Sequence, residues 1–291
     1  MSSIFVFPGQ GAQSVGMGRD LYENNAIARA VFDEVDDALG EKLSEIIFNG
    51  PSDTLTLTAN VQPAIMATSI AMLRASGASL PEYVAGHSLG EYTALCAAGA
   101  LSVGDTAKLL RARGNAMQTA VPVGHGLTAV ILGLDIDVVR EICAKTDCDV
   151  ANDNSPGQVV ISGAKDVVEQ TMVAAKDAGA KRAMPLALSV PVHCRIQQPA
   201  ADAMRAALAG VKMITPSVPL ISNKTCTPIT DVNEIKDALV YQMTHGVRWR
   251  ESVLAMADMG VTDMIEVGPG AVLTGLCSRI TDKITAKKME I

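Results

Sequence analysis

Aromatic residues make up only 3% of this 291-residue chain, which argues against an aromatic-rich all-β sandwich. Ala, Val, Leu, Ile and Met supply most of the 48% hydrophobic content, a composition suited to helices layered on a sheet. Positive charge is short as well: 24 Lys and Arg against 31 Asp and Glu leave a formal charge of −7. That balance argues against a general nucleic-acid partner, because tracking phosphates needs a basic field. The six cysteines (Cys96, Cys143, Cys148, Cys194, Cys226, Cys277) contain no C-x-x-C pair and read as buried free thiols of a reducing compartment. No His/Cys/Asp/Glu cluster has metal-ligand spacing, so no metal is expected. Met1-Ser2-Ser3-Ile4 is not a basic region leading into an apolar one, so no secretory signal is expected. No apolar run reaches the ~18 residues of a membrane helix, Ala64 to Leu73 being the nearest approach. The expected location is the cytoplasm, with no membrane partner.

What is present is an alternation of strands and helices. Ile4-Phe5-Val6-Phe7 is a short buried-strand run stopped by Pro8-Gly9-Gln10-Gly11, and helical periodicity follows at about 26–39, 42–48 and 60–76. Tyr83-Val84-Ala85 is a second strand, followed by helices over about 89–98 and 103–120. The rhythm then changes. Strand 127–132, helix 135–145, strands 149–151 and 158–162, helix 165–178 and strand 182–188 give the order βαββαβ of a ferredoxin-like unit. Val121-Pro122-Val123-Gly124 and Val190-Pro191 bound it, so it reads as a small domain over 123–189, inserted in a larger one made of 1–122 and 190–291. The outer pattern resumes with helix 196–209, strand 218–222, helices 234–244 and 250–259, strand 263–267 and helix 271–281. Strand-then-helix repetition implies an α/β protein whose mostly parallel sheet is covered on both faces.

Gly86-His87-Ser88-Leu89-Gly90 fits G-x-S-x-G, with an apolar strand before it and a helix-forming run after it, the setting of a nucleophile elbow. Glycines two positions either side permit the tight turn. The hydroxyl then points out at a helix N-terminus, which favours a developing oxyanion, and the Leu89 N–H is the expected donor to it. In an ordinary Gly-rich turn the serine would merely cap the helix; strand and helix on both sides favour the nucleophile. A serine needs a base, and there are four histidines. His87 adjoins Ser88 and projects away from it, His125 sits between two glycines at the entry to the insertion, and His245 precedes Gly246 at a helix end. His193, in Ser189-Val190-Pro191-Val192-His193-Cys194, lies where the chain rejoins the larger domain, and a cleft opens at such a boundary. Cys194 beside it is a poor rival nucleophile, since neighbours in an extended chain point to opposite sides.

Arg113 falls on helix 103–120 among Leu109, Leu110, Met117 and Ala120, opposite Lys108, Arg111, Asn115 and Gln118. A guanidinium among core positions must be paired, either in an internal salt bridge or with a carboxylate brought by a ligand. Pro8-Gly9-Gln10-Gly11 and Glu266-Val267-Gly268-Pro269-Gly270 follow the first and last strands, at the ends where open parallel sheets place their sites. Neither is a phosphate loop or a dinucleotide fingerprint.

Taken together, six segments make the sequence closely resemble, over nearly its whole length, the bacterial malonyl-CoA:acyl-carrier-protein transacylases of fatty-acid synthesis. They are Phe7-Pro8-Gly9-Gln10-Gly11-Ala12-Gln13, Gly86-His87-Ser88-Leu89-Gly90-Glu91, Arg113-Gly114 with Met117-Gln118, Asn154-Ser155-Pro156-Gly157-Gln158-Val159-Val160, Pro191-Val192-His193-Cys194 and Glu266-Val267-Gly268-Pro269-Gly270. The resemblance implies an α/β-hydrolase-like core with a ferredoxin-like insert. It implies malonyl-CoA and acyl carrier protein as partners, and no bound cofactor. Ser88 would attack the malonyl thioester while His193 takes the hydroxyl proton, with the backbone N–H groups of Gln10 and Leu89 holding the oxyanion and Arg113 pairing with the free malonyl carboxylate. The position matching Gln242 would orient the histidine through its backbone carbonyl, in place of a triad aspartate. The phosphopantetheine thiol of the carrier would then take the malonyl group from the serine, a ping-pong transfer.

Two positions depart from the family pattern. Val192 stands where Phe or Ser is frequent before the base, and Leu127-Thr128-Ala129 where Met-Ala-Ala is frequent; both are expected near the acyl pocket. An acidic carrier needs a local basic face on an enzyme of charge −7, and Lys176, Lys181 and Arg182 in the insertion with Arg279 on the last helix are the candidates, a merely solvated face being the alternative. A serine hydrolase would use the same elbow and base with water as acceptor. An acyltransferase of polyketide assembly or malonate decarboxylation would share the chemistry and serve a different carrier. An inactive scaffold binding acyl carrier protein would form no acyl adduct.

Overall fold

The computed structural model describes residues 2–122 and 124–291. Strand β1 (Ser2–Phe7) is followed by helices α1 (Arg19–Asn24), α2 (Ala26–Leu39), α3 (Leu43–Asn49), α4 (Ser52–Thr56) and α5 (Thr58–Ser76). Strand β2 (Tyr83–Gly86) leads into α6 (Gly90–Ala97) and α7 (Val103–Ala120). Next come β3 (Gly126–Leu132), α8 (Ile136–Thr146), β4 (Asp149–Ser155), β5 (Gln158–Ala164), α9 (Lys165–Asp177) and β6 (Arg182–Pro185). The remaining segment holds α10 (Gln198–Ala209), β7 (Leu220–Ile221), β8 (Pro228–Ile229), α11 (Val232–Tyr241), α12 (Trp249–Asp258), β9 (Val261–Glu266), α13 (Val272–Ile280) and β10 (Thr285–Lys288). The result is a mixed α/β protein with two separate sheets, one of six strands in the order β10-β9-β1-β2-β7-β8 and one of four in the order β4-β5-β3-β6.

Side-chain alternation explains why the first sheet is covered twice. Along β1, Phe5 and Phe7 face a core built with α2, α5, α7 and α10, whereas Ile4 and Val6 face a core built with α12 and α13. Val84 and Leu220 join the first core, and their chain neighbours Ala85 and Ile221 the second. Strands buried on both faces read as unbroken apolar runs, as these do. Every pairing in this sheet is parallel except β7 with β8. Phe7 and Gly86 are partners at the C-terminal ends of β1 and β2, so the loops that follow them meet.

The second sheet is antiparallel throughout. Ala129 and Ile131 of β3, with Val159 and Ile161 of β5, pack on α8 and α9, while Val130 and Val160 turn the other way, into the core shared with the first sheet. Strand β4 ties this sheet to the segment between α11 and α12: Asp153 N–H donates to the Val247 carbonyl at 3.0 Å, and Val247 N–H to the Ala151 carbonyl at 2.9 Å.

Several boundaries differ from expectation, for local reasons. β4 continues to Ser155 instead of stopping at Ala151, because Asn152, Asp153 and Asn154, poor strand formers in isolation, find partners on Val247, Arg250 and His87. β6 ends at Pro185 rather than 188, a proline having no N–H for the ladder. Strand 218–222 shortens to Leu220–Ile221, and helix 234–244 ends at Tyr241, which leaves Gln242 as its C-cap. The short elements α1, α4, β8 and β10 have no counterpart in the periodicity. Val123, at the expected start of the insertion, lies outside the described residues. No helix among the described residues is long and apolar enough to cross a membrane.

Helices α5 and α7 approach closely enough that a Cβ on Gly114 would lie 2.4 Å from Ala59 Cα. Gly114→Ala is therefore expected to cost about 1–3 kcal/mol by overpacking, read as a lower urea midpoint at unchanged slope. An unchanged midpoint would mean that the helices are not in such close contact.

Candidate active site

Gly86 ends β2, Gly90 starts α6, and neither has room for a side chain. A Cβ on Gly86 would fall 1.9 Å from the Gly90 carbonyl carbon, and one on Gly90 would fall 2.2 Å from the Phe7 carbonyl oxygen. The turn between them holds Ser88 at φ 56°, a left-handed conformation that costs a non-glycine residue on the order of 1–3 kcal/mol. Asn223 offsets part of that cost: its Oδ1 accepts the Ser88 N–H at 3.0 Å and its Nδ2 donates to the Gly86 carbonyl at 2.8 Å. His87 points away from the serine hydroxyl, its Nε2 lying 2.9 Å from Asn154 Oδ1.

His193 reaches Ser88 from the segment after β6. Ser162 Oγ accepts the Val192 N–H at 3.0 Å and Gln197 Nε2 donates to the Pro191 carbonyl at 2.7 Å, which fixes the chain on either side of a second left-handed residue, His193 at φ 54°. Its Nε2 lies 2.8 Å from Ser88 Oγ and its Nδ1 2.5 Å from the Gln242 carbonyl. A carbonyl only accepts, so Nδ1 carries the hydrogen and Nε2 is the bare nitrogen facing the hydroxyl. That carbonyl is free because Gln242 stands just past the last turn of α11. Burial, and next the Arg113 charge, push the pKa of His193 down to about 3, against the opposing effect of the Gln242 bond. The ring is therefore neutral at physiological pH. Among the described residues no carboxylate contacts it.

Arg113 is 2% exposed, and its hydrogen-bond partners are all uncharged. Nη1 donates to Gln62 Oε1 at 2.7 Å, and Nη2 donates to Gln242 Oε1 at 2.8 Å and to Ser88 Oγ at 3.1 Å. None of the ion pairs among the described residues includes it, so the internal salt bridge open at the level of sequence is absent there. Its Nε is buried without a partner. The Glu91 carboxyl acts on Arg113 through its charge without bonding to it, and burial pushes that carboxyl up to about 7 against the bonds from Asn223 and Gln242 and the Arg113 charge.

Ser88, His193 and Arg113 line one cavity of about 390 Å³, along with Gln10 and Leu89. A Cβ on Gly9 would fall 2.7 Å from the His87 carbonyl, so the Gly9-Gln10 segment lies against the elbow. Among the described residues neither the Gln10 nor the Leu89 amide donates to a backbone oxygen. Val130 and Val160 from the second sheet, Leu188 from the segment after β6, and Leu273 and Leu276 from α13 supply apolar walls. Glu266 is structural: its carboxylate accepts the Leu273 and Thr274 N–H groups and so caps α13. Val192 does border the cavity, but Leu127, Thr128 and Ala129 do not, contrary to expectation. Thr128 instead turns to Ser162 Oγ, 2.9 Å away, and Ala129 to the core under α8 and α9.

The four exposed cations expected to meet a carrier do not form one cluster. Arg279 Nη1 donates to Gln158 Oε1 at 2.8 Å at the cavity wall, and Gln158 and Arg182 both pair with Leu132, which brings Lys181, Arg182 and Arg279 to one end of the second sheet. Lys176 is in the last turn of α9, on the helix layer that covers the opposite face of that sheet. Cys194 is a neutral thiol, pushed up to about 12 by burial, and Ser162 Oγ donates to its sulfur.

The acyl transferase domain family matches residues 4–290. This chain belongs to that family. The malonyl CoA-acyl carrier protein transacylase of Bacillus subtilis is 44% identical over 293 residues, with 98% of this chain and 92% of that protein covered. Among solved structures, the acyl-carrier-protein-S-malonyltransferase of Bartonella henselae is 51% identical with a TM-score of 0.97, covering 99% of this chain and 95% of that one. A type II PKS acyl-carrier protein in complex with its malonyl-transacylase gives a match at 40% identity and a TM-score of 0.96, with 99% and 96% covered.

Sequence reasoning singled out Ser88, His193, Arg113, Leu89, Gln10 and Gln242; the first five line this cavity, and Gln242 is bonded to two of them, Arg113 and His193. It passed over Gln62, Glu91, Asn154 and Asn223. A signal existed for Glu91, the one charged residue of α6, comparable to Arg113 among the apolar positions of α7; Gln62 left none, since α5 also carries Asn60, Thr68 and Ser69.

Protonating His193 removes the acceptor for the serine proton, and that loss comes only as pH drops toward about 3. The His193 limb of kcat/KM is therefore expected well below the ordinary histidine value of 6.5, apart from any step that the Glu91 carboxyl, pushed up to about 7, adds near neutrality. A midpoint near 6.5 that persists in Glu91→Gln would contradict a buried, neutral ring.

Proposed function

We propose that this enzyme transfers the malonyl group from malonyl-CoA to the phosphopantetheine thiol of acyl carrier protein, through a malonyl-serine at Ser88, in support of cytoplasmic fatty-acid synthesis. The observation that carries this reading is Arg113: a buried cation with no carboxylate hydrogen-bonded to it, 3.1 Å from the hydroxyl of a serine on a strained turn. Its unused Nε suits an acyl group that ends in a carboxylate.

Ser88 Oγ attacks the thioester carbon while its proton passes to His193 Nε2, and the tetrahedral oxyanion is held by the Gln10 and Leu89 N–H groups. Collapse breaks the carbon–sulfur bond, and the CoA sulfur leaves with the proton from His193. The carrier thiol then gives its proton to His193 and attacks the malonyl-serine, and the serine oxygen recovers that proton. Gln242, through its carbonyl, stabilises the transient imidazolium in place of a carboxylate. No resident cofactor is needed.

The strand orders support reading the larger unit, 1–122 and 190–291, as an α/β-hydrolase-like core, and 123–189 as a ferredoxin-like subdomain. The names of the relatives from Bacillus subtilis and Bartonella henselae support the substrates, and the carrier complex of a relative supports docking of a carrier protein. Lys181, Arg182 and Arg279, at one end of the second sheet, are the docking cations we favour, with Lys176 farther away.

Intact mass after mixing with malonyl-CoA is expected to show a malonyl adduct on the wild type and none on Ser88→Ala. Free malonate released faster than carrier is loaded would make the protein a hydrolase. Arg113→Ala is expected to cut malonyl transfer about tenfold to a hundredfold, the worth of a charge-assisted hydrogen bond, and to weaken acetyl transfer less. Equal losses for the two acyl groups would confine Arg113 to a structural part.

A further inference from the structure

Glu91 places a carboxylate in the first turn of α6 with 0% exposure, among Tyr92, Thr93, Ala94 and Leu95, all of them buried too. Such a group is costly to bury unless its acceptors are used, and here both are. Oε1 accepts the Asn223 N–H at 2.7 Å, and Oε2 accepts Gln242 Nε2 at 2.5 Å. From these two bonds the network reaches both halves of the site. Asn223 holds the Ser88 N–H and the Gly86 carbonyl. Gln242 holds three things at once: its Oε1 accepts from Arg113, its Nε2 also reaches the Ser88 carbonyl at 3.2 Å, and its main-chain carbonyl accepts from His193.

A carboxamide has one accepting end and one donating end. With its oxygen on Arg113, Gln242 turns its amino group to position 91, where the carboxylate accepts without donating and makes a shorter bond than the Ser88 carbonyl beside it. Flipped, the amide would set a donor against the guanidinium and an acceptor against the carboxylate. We infer that Glu91 is a positioning residue that, by fixing the Gln242 amide, holds Arg113 and His193 in register with Ser88, so that one buried carboxylate sets both acyl-carboxylate recognition and the base. This inference rests on the reading of Ser88 and His193 as nucleophile and base.

Glu91→Gln keeps the shape and turns one acceptor into a donor, which must then face either the Asn223 N–H or Gln242 Nε2. The double variant Glu91→Gln/Gln242→Glu reverses the polarity of that bond: the new amide donates to the new carboxylate, which still accepts from Arg113, and the one partner lost is the longer bond to the Ser88 carbonyl. Two readouts are taken, with melting temperature alongside. Modification of Ser88 by phenylmethanesulfonyl fluoride needs the base and no acyl carboxylate, and the malonyl-to-acetyl loading ratio needs Arg113. Glu91→Gln is expected to lower both by about tenfold or more, and the double variant to return sulfonylation to within about threefold of wild type while the malonyl-to-acetyl ratio stays low, because a carboxylate then occupies Arg113. Unchanged values in Glu91→Gln, or a sulfonylation loss in the double variant equal to the product of the two single losses, would overturn the inference. Should Glu91→Gln not fold, Gln242→Glu takes its place, and recovery on adding Glu91→Gln decides in the same way. A wild type that is sulfonylated on Ser88 and takes no malonyl group would remove the proposed function and leave the sulfonylation comparison to decide the part played by Glu91.

Discussion

A guanidinium held away from water without a carboxylate hydrogen-bonded to it is the constraint around which the rest of this site is arranged. Taking Arg113 out of solvent costs several kcal/mol, and neutral hydrogen-bond acceptors recover only part of that. Gln62 from α5, Gln242 from the end of α11 and the Ser88 hydroxyl each supply one acceptor, so three elements distant in sequence converge on one side chain. The Tyr92 ring, with Arg113 Cζ 5.8 Å from its centroid, and the Glu91 carboxylate temper the charge from below. Neither replaces a direct ion pair. The residual field is felt at His193, where it adds to burial in keeping the ring neutral.

Such an arrangement needs a rigid frame, and the first sheet provides one. Because β1 and β2 are buried on both faces and end side by side, the elbow after β2 and the Gly9-Gln10 segment after β1 are pressed together without space for a side chain at Gly9, Gly86 or Gly90. The strain at Ser88 is sustained by that packing and by Asn223, not by the serine itself. α5 and α7 are held at the same close range by Gly114, which is what lets Gln62 reach its neighbour's arginine.

Much of this frame was legible in the sequence, and the reasons are physical. β1 and β2 announced themselves as unbroken apolar runs because both faces are covered, and the βαββαβ order of the second unit came from a change between two periodicities. Ser88 could be read because the glycines around it have no other use at that spacing. Arg113 could be read because it breaks an apolar stripe. His193 was harder: only its place at a chain crossing distinguished it from three other histidines, and the 2.8 Å contact to Ser88 is a tertiary fact. Gln242 came from family likeness alone, since a backbone carbonyl leaves no mark in a residue's identity. Strand β4 shows the opposite failure. Asn152-Asp153-Asn154 fell outside the expected strand because its strand geometry is stabilised by Val247, Arg250 and His87, none of them near in sequence.

That last strand connects the two sheets in a way that bears on the chemistry. β4 pairs with β5 on one side and with the segment at Val247 on the other, five residues beyond Gln242. Gly246 allows the approach, since a Cβ there would fall 2.4 Å from the Val150 carbonyl oxygen. The second sheet presents Val130 and Val160 to the cavity, so the wall an acyl thioester passes and the carbonyl that aligns the base belong to one hydrogen-bonded strip. Gln242 is tied as well to the Ser88 carbonyl and to Glu91 on α6, so the residue whose carbonyl aligns the base is held from both sheets at once: through Val247 to the cavity wall, and through its side chain to the elbow of the serine.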